Sequence, residues 1–152
     1  MNIEIVKTST PDTLDSTRVF GLILKAVQTH IHMLHWYAED INVHEILGDV
    51  YKDLNKSFDT FQEEIIGSAK SYNAIFPSFN LQIDAQDLGQ YNVDPATAIN
   101  SYNNISSQFK TILSSMEFST FVNTVESGLN NTKEDILTTL NRGSYLLSMV
   151  RC

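Results

Sequence analysis

Apolar side chains return at steps of three and four in four separate stretches of this chain, a period that specifies amphipathic helices. The first stretch carries Val19, Leu22, Ile23, Ala26, Val27, His30, Met33, Leu34 and Tyr37. It predicts a helix that starts at Asp15 or Ser16, both good N-cap residues, and runs to about Ala38. After a short connection at residues 39–42, Leu47, Val50, Tyr51, Leu54, Phe58, Phe61, Ile65 and Ile66 predict a second helix over 43–72. Asp94-Pro95 is a strong start signal, because the aspartate can cap and proline suits the first helical position. It opens a third helix over 95–116, with Ile99, Tyr102, Ile105, Phe109, Ile112 and Leu113 inward. Residues 117–130 read as a short separate helix closing near Gly128. The run from Asn131 to Asp135 has the composition of a capping box and opens a last helix to about Val150. Its inward set is Ile136, Leu137, Leu140, Tyr145, Leu146 and Met149. No stretch alternates apolar and polar residues over a useful strand length, and no internal repeat is present.

These elements predict an all-α fold, a four-helix bundle in a single domain over residues 1–152, with residues 1–14 as a lead-in. Pro77, Asn80, Gly89 and Asn92 interrupt the periodicity across 73–93. A link that long in mid-chain favours the ferritin-like connection, in which a crossover replaces one short turn. Hydrophobic content of 42% over 152 residues is enough for a core without disulfides or a structural metal. The lone cysteine, Cys152, cannot pair within the chain, which fits a reducing compartment. The first residues lack the basic and apolar regions of a secretory signal, and no segment has the roughly 20 apolar residues that span a bilayer. A cytoplasmic protein with no membrane partner is therefore expected. The formal net charge of −8 opposes binding to nucleic acid phosphates and suits the attraction of cations.

Chemistry-bearing residues concentrate between His30 and Glu64. His30, His32 and His35 fall on the first helix, His32 and His35 on one face of it, and His44 follows just after the connection. Asp59 and Glu63 are i and i+4 neighbours on the second helix, so two carboxylates can converge on one cation. Imidazole nitrogens combined with carboxylate oxygens suit iron, zinc or manganese. The same groups can also be a solvated helix face. Glu-x-x-His is absent, so the chain lacks the pattern that builds a di-iron site inside one bundle. No glycine-rich phosphate loop is present, and Cys152 has no histidine near it in sequence.

Three pieces of this region, taken in order, carry a family resemblance. They are His35-Trp36, then His44-Glu45-Ile46-Leu47, then Asp59-Thr60-Phe61-Gln62-Glu63. The order resembles the miniferritins, the Dps family of the ferritin-like superfamily. The strong match covers about thirty residues, and helix order extends it loosely over the chain. The resemblance implies a ferroxidase centre between two subunits related by a twofold axis. His35 and His44 would come from one chain and Asp59 and Glu63 from the other. Iron(II) would be oxidised there by peroxide or oxygen and stored as ferric mineral in a twelve-subunit cage. It also implies that Trp36 sits beside the iron and takes up oxidising equivalents, although a tryptophan at a dimer interface is more often an apolar anchor. Asp49, Glu64 and His32 are reserve ligands. Family members that bind DNA do so through a basic tail. Here the first eighteen residues offer only Lys7 and Arg18, so no appreciable DNA binding is expected. The sequence departs from the family at two places. Gly48 stands where the family has an aspartate, with Asp49 adjacent but turned about 100° around the helix. His35 and His44 are also closer in sequence than in a typical member. The rival reading keeps the fold as a non-enzymatic oligomeric structural or interaction protein with a degenerate metal site.

Overall fold

A computed structural model of the chain describes residues 3–7, 16–68, 79–83, 93–115 and 123–151. Its elements, in order, are strand β1 (Ile3–Lys7), helices α1 (Ser16–Tyr37) and α2 (Ile41–Ser68), strand β2 (Phe79–Ile83), and helices α3 (Pro95–Ser114) and α4 (Asn123–Ser148). The body is all-α, built on the four apolar stripes. Ile23, Leu24, Val27, Ile31 and Leu34 of α1 are buried against Val43, Leu47, Val50, Leu54 and Phe61 of α2. From α3 come Ala98, Tyr102, Ile105, Phe109 and Leu113, and from α4 Leu129, Ile136, Leu140 and Leu147. Each of the larger of these stabilises the fold by about 1.5–3 kcal/mol through removal from water.

Caps set the helix boundaries. Asp94 accepts from the Thr97 backbone amide and hydroxyl, both at 2.8 Å, as Asp94-Pro95 predicts. Those bonds hold the Asp94 carboxyl below its ordinary range. Helix α2 begins two residues earlier than its apolar pattern predicts. Asp40 caps it, accepting from the amides of Asn42 at 2.8 Å and Val43 at 3.1 Å. The connection after α1 is thus only residues 38–40.

Two further expectations are corrected. Helix α4 is continuous from Asn123, so Gly128 does not end a short helix and residues 131–135 do not cap a new one. The Thr132 hydroxyl instead donates to the Gly128 carbonyl one turn back at 3.1 Å, inside a helix. The inward face of α4 is also rotated from the predicted one. Tyr145 and Met149 are exposed, because the buried stripe includes Thr132, Thr139 and Gly143, which an apolar pattern cannot mark. Outside the helical body, β1 and β2 form an antiparallel pair that the sequence reading did not anticipate. Their register sets Ile3 opposite Ile83 and Ile5 opposite Leu81. The short helical turn read near residues 84–88 and the turn at Pro11 lie outside the described residues, as does the predicted extension of α2 to residue 72.

One end of the bundle gathers four helix termini. The Val93 amide donates to the Tyr37 carbonyl at 2.7 Å, and the Glu39 amide donates to the Val93 carbonyl at 3.0 Å. The start of α3 is thereby tied to the end of α1 and to the start of α2. Asn42 and Ile46 of α2 line a groove with Leu146 and Met149 of α4, so α4 finishes at the same end. Around the bundle, α1 packs chiefly on α2, α2 on α4, and α3 on both α1 and α4. Two buried polar contacts fix the pairing. The Tyr102 hydroxyl donates to the Leu140 carbonyl at 2.7 Å, linking α3 to α4. His30 Nε2 lies 3.1 Å from the Ser101 hydroxyl, linking α1 to α3. No described helix is long and apolar enough to cross a membrane.

Candidate metal centre

The three-residue connection after α1 places its last turn beside the first turn of α2, and this brings His35 and His44 face to face. Their rings stack with centroids 3.9 Å apart and planes 25° from parallel. Each ring bonds to the other residue's backbone. His35 donates from Nδ1 to the His44 carbonyl at 2.6 Å, and His44 donates from Nδ1 to the His35 carbonyl at 2.7 Å. The second bond has a structural cause. A helix leaves its last carbonyls without intrahelical partners, and here two of them are claimed from other elements. Tyr37 accepts from Val93, and His35 accepts from the His44 ring. A carbonyl oxygen can only accept, so the neutral form of each ring carries its proton on Nδ1 and leaves the Nε2 lone pair free.

Gly48 lies one turn beyond His44 and is buried. A Cβ at that position would sit 2.9 Å from Cε1 and 3.0 Å from Nδ1 of His35. The glycine is therefore the surface on which the His35 ring rests. Next to this pair, His32 stacks on Tyr51 with centroids 3.7 Å apart and planes 6° from parallel. Trp36 closes over His32 at 4.1 Å, and His35 lies 6.1 Å from His32. Tyr51 was read only as a core residue. Its stacking on His32 and its place beside His35 are not marked by its position in an apolar stripe. Trp36 remains 58% exposed, so most of its indole surface is open on the α1 side.

Burial first, then the charges of His35 and Lys25, hold the His32 imidazole below its ordinary value of 6.5. The unfolded chain then binds more protons than the folded one just below pH 6.5. Stability contributed by neutral His32 is present above that pH and is lost as the pH falls through the lowered value. Metal-free protein is expected to lose thermal stability between pH 7 and pH 5, and His32→Phe, which keeps a ring on Tyr51, is expected to lose less. Identical slopes for the two proteins would remove His32 as the cause.

The carboxylates are elsewhere on this chain. Asp59 and Glu63 are both exposed on α2. At 1.5 Å rise and 100° per residue they lie about 22–28 Å along the helix from His44, and Glu63 is rotated roughly 100° from it. Asp49 is exposed, turned away from the histidine pair that Gly48 faces. Glu64 directs its carboxylate at Gly128 of α4, away from the histidines, so it does not serve as a reserve ligand within this chain. Among the described residues no three His, Cys, Asp or Glu side chains converge to hold a metal ion. One chain brings His35, His44 and His32 together and leaves Asp59 and Glu63 at a distance.

Comparison with family models, with curated proteins and with solved structures returns no match to this chain.

Proposed function

We infer that the chain is a divergent, Dps-like miniferritin that binds iron(II) between two subunits and oxidises it with peroxide or oxygen, storing the ferric product as mineral. The observation that carries this reading is the reciprocal histidine pair, in which each Nδ1 is held by the other residue's carbonyl and each Nε2 is left for a ligand role. The helix order supports it. Helices α2 and α3 start at the same end of the bundle, the arrangement that a ferritin-like crossover would require. The distance from His44 to Asp59 and Glu63 also supports it, since an antiparallel second copy would bring its own carboxylates to the histidines. Iron(II) is the substrate. His35 and His44 would supply borderline nitrogen donors from one subunit, and Asp59 and Glu63 hard oxygen donors from the other. Zinc and manganese suit the same donors. Trp36 and Ile41, both largely exposed near the pair, would be covered by such a partner.

Anaerobic iron(II) titration, followed by peroxide, tests the reading. Wild-type protein should bind iron saturably and oxidise it rapidly, and the Asp59→Ala/Glu63→Ala double variant should lose about tenfold or more in affinity. Equal, slow oxidation in both proteins would sink it and favour the rival reading, an oligomeric structural protein. Gly48 in the position of a family carboxylate is the observation on the rival's side. With a net charge of −8 on each subunit, no mobility shift of duplex DNA is expected at physiological salt, and a shift there would contradict the charge argument.

A further inference from the structure

We propose that Gly48 is a positioning residue for His35, and that it locks the His35–His44 pair in the ligand tautomer before any metal arrives. This rests on the reading of His35 and His44 as ligands and adds what prepares them. The family resemblance makes Gly48 a lost carboxylate, but the geometry gives it a different task. Its bare Cα lets the Cε1–Nδ1 edge of the His35 ring come up against α2, close enough for Nδ1 to reach the His44 carbonyl at 2.6 Å. With that bond made, the rings stack at 3.9 Å and His44 reaches back to the His35 carbonyl at 2.7 Å. A Cβ at position 48 would meet His35 Cε1 at 2.9 Å and Nδ1 at 3.0 Å, so the ring has to shift away from α2 and its bond to the His44 carbonyl is disturbed. An aspartate installed there would press on the imidazole beside which it was meant to bind. Gly48 and the tight His35 contact are thus one arrangement, an alternative to the carboxylate at that position.

The lock follows from the two acceptors. Histidine side chains in water favour the proton on Nε2, which blocks the outward nitrogen. Two backbone carbonyls, each able only to accept, reverse that preference in both rings. A cation arriving from solvent, or from a second subunit, finds both Nε2 lone pairs free and needs to displace no proton from them.

The test uses nitrogen-detected NMR of the metal-free full chain at neutral pH, followed by titration with zinc(II) alone. Wild-type His35 and His44 should both show protonated Nδ1 and bare Nε2. In Gly48→Ala the His35 signature should move toward the Nε2–H form, and zinc affinity should fall about tenfold to a hundredfold. An Nε2–H signature for either ring in the wild type would overturn the proposal, as would an unchanged His35 signature in Gly48→Ala. If Gly48→Ala does not fold, the Gly48→Ala/His35→Ala double variant decides. Recovery of the fold with the ring removed supports the contact, and continued failure overturns it. Wild-type protein that shows both tautomers as assigned but binds no zinc would refute the ligand reading beneath the proposal and leave the positioning role intact.

Discussion

Gly143→Ala is expected to destabilise the protein by about 3 kcal/mol, lowering the melting temperature by roughly 6–12 °C for a chain of this size. Helix propensity alone gives the opposite sign, since alanine is better than glycine in a helix interior by about 1 kcal/mol. Packing decides the matter. Gly143 is buried on α4 where it faces both α2 and α3, and an added Cβ would lie 2.8 Å from Val50 Cγ2 and 2.9 Å from Tyr102 Cζ, with the Tyr102 hydroxyl closer still. Neither neighbour can yield cheaply. Val50 is fully enclosed, and Tyr102 is held by its bond to the Leu140 carbonyl, in surroundings dry enough to push its phenol well above the ordinary range. Moving the tyrosine breaks that bond inside the core, and moving α4 opens gaps against α2 and α3. Gly128→Ala provides the control. There the added Cβ meets only the Glu64 carboxylate, the far end of a flexible chain, and the variant should hold its stability or gain a little. Thermal unfolding of the two variants side by side checks the argument. A higher melting temperature for Gly143→Ala would mean that the close approach of α4 to Tyr102 is wrong.

Such contacts mark the border of what the sequence discloses. The four helices were legible because their buried residues are apolar and recur at the helical period, and Asp94-Pro95 gave the start of α3 by chemistry that is local. The phase of α4 was not legible, because Thr132, Thr139 and Gly143 occupy its buried stripe and look like surface or loop residues in a one-dimensional pattern. Thr132 was misread as a cap for the same reason. A threonine hydroxyl that satisfies a carbonyl one turn back has the same sequence as one that satisfies an amide ahead. The start of α2 lies outside its apolar pattern, because it is set by the Asp40 cap and not by a buried side chain. In the β1–β2 pair, Ile3 and Ile5 flank Glu4, and Phe79, Leu81 and Ile83 flank Asn80 and Gln82. That alternation is short enough to pass as loop, and only the partner strand makes it a ribbon. At the candidate centre, residue types and spacing were legible, but their arrangement was not. The mutual bonds of His35 and His44 need a three-residue connection, and they need an orphaned carbonyl at the end of α1. Both depend on Asp40 and on Val93, nearly fifty residues away along the chain. Gly48 shows the difference most clearly. From sequence it is an absence, and in the fold it is the contact that His35 requires.

Mixing two inactive variants should restore about one quarter of the wild-type iron oxidation, because a twofold site takes its histidines from one subunit and its carboxylates from the other. The variants are His35→Asn/His44→Asn, whose amides can still donate to the two carbonyls, and Asp59→Asn/Glu63→Gln, which keeps the shape of both acids. Each alone should bind iron weakly and oxidise it slowly, since every site lacks half its donors. When subunits are unfolded together and reassembled at random, about half of the pairs are mixed, and one site in each mixed pair is whole. The separation of roughly 22–28 Å between His44 and the carboxylates on one helix makes the test discriminating, because no side-chain motion closes that gap within a subunit. A site contained in one chain would stay dead in the mixture, whose activity would equal the average of its parents. Parents that keep wild-type oxidation would remove these four residues from the reaction altogether. Recovery near one quarter would require the second copy to be part of the site, and with it the face of α1 and α2 that carries Trp36 and His44.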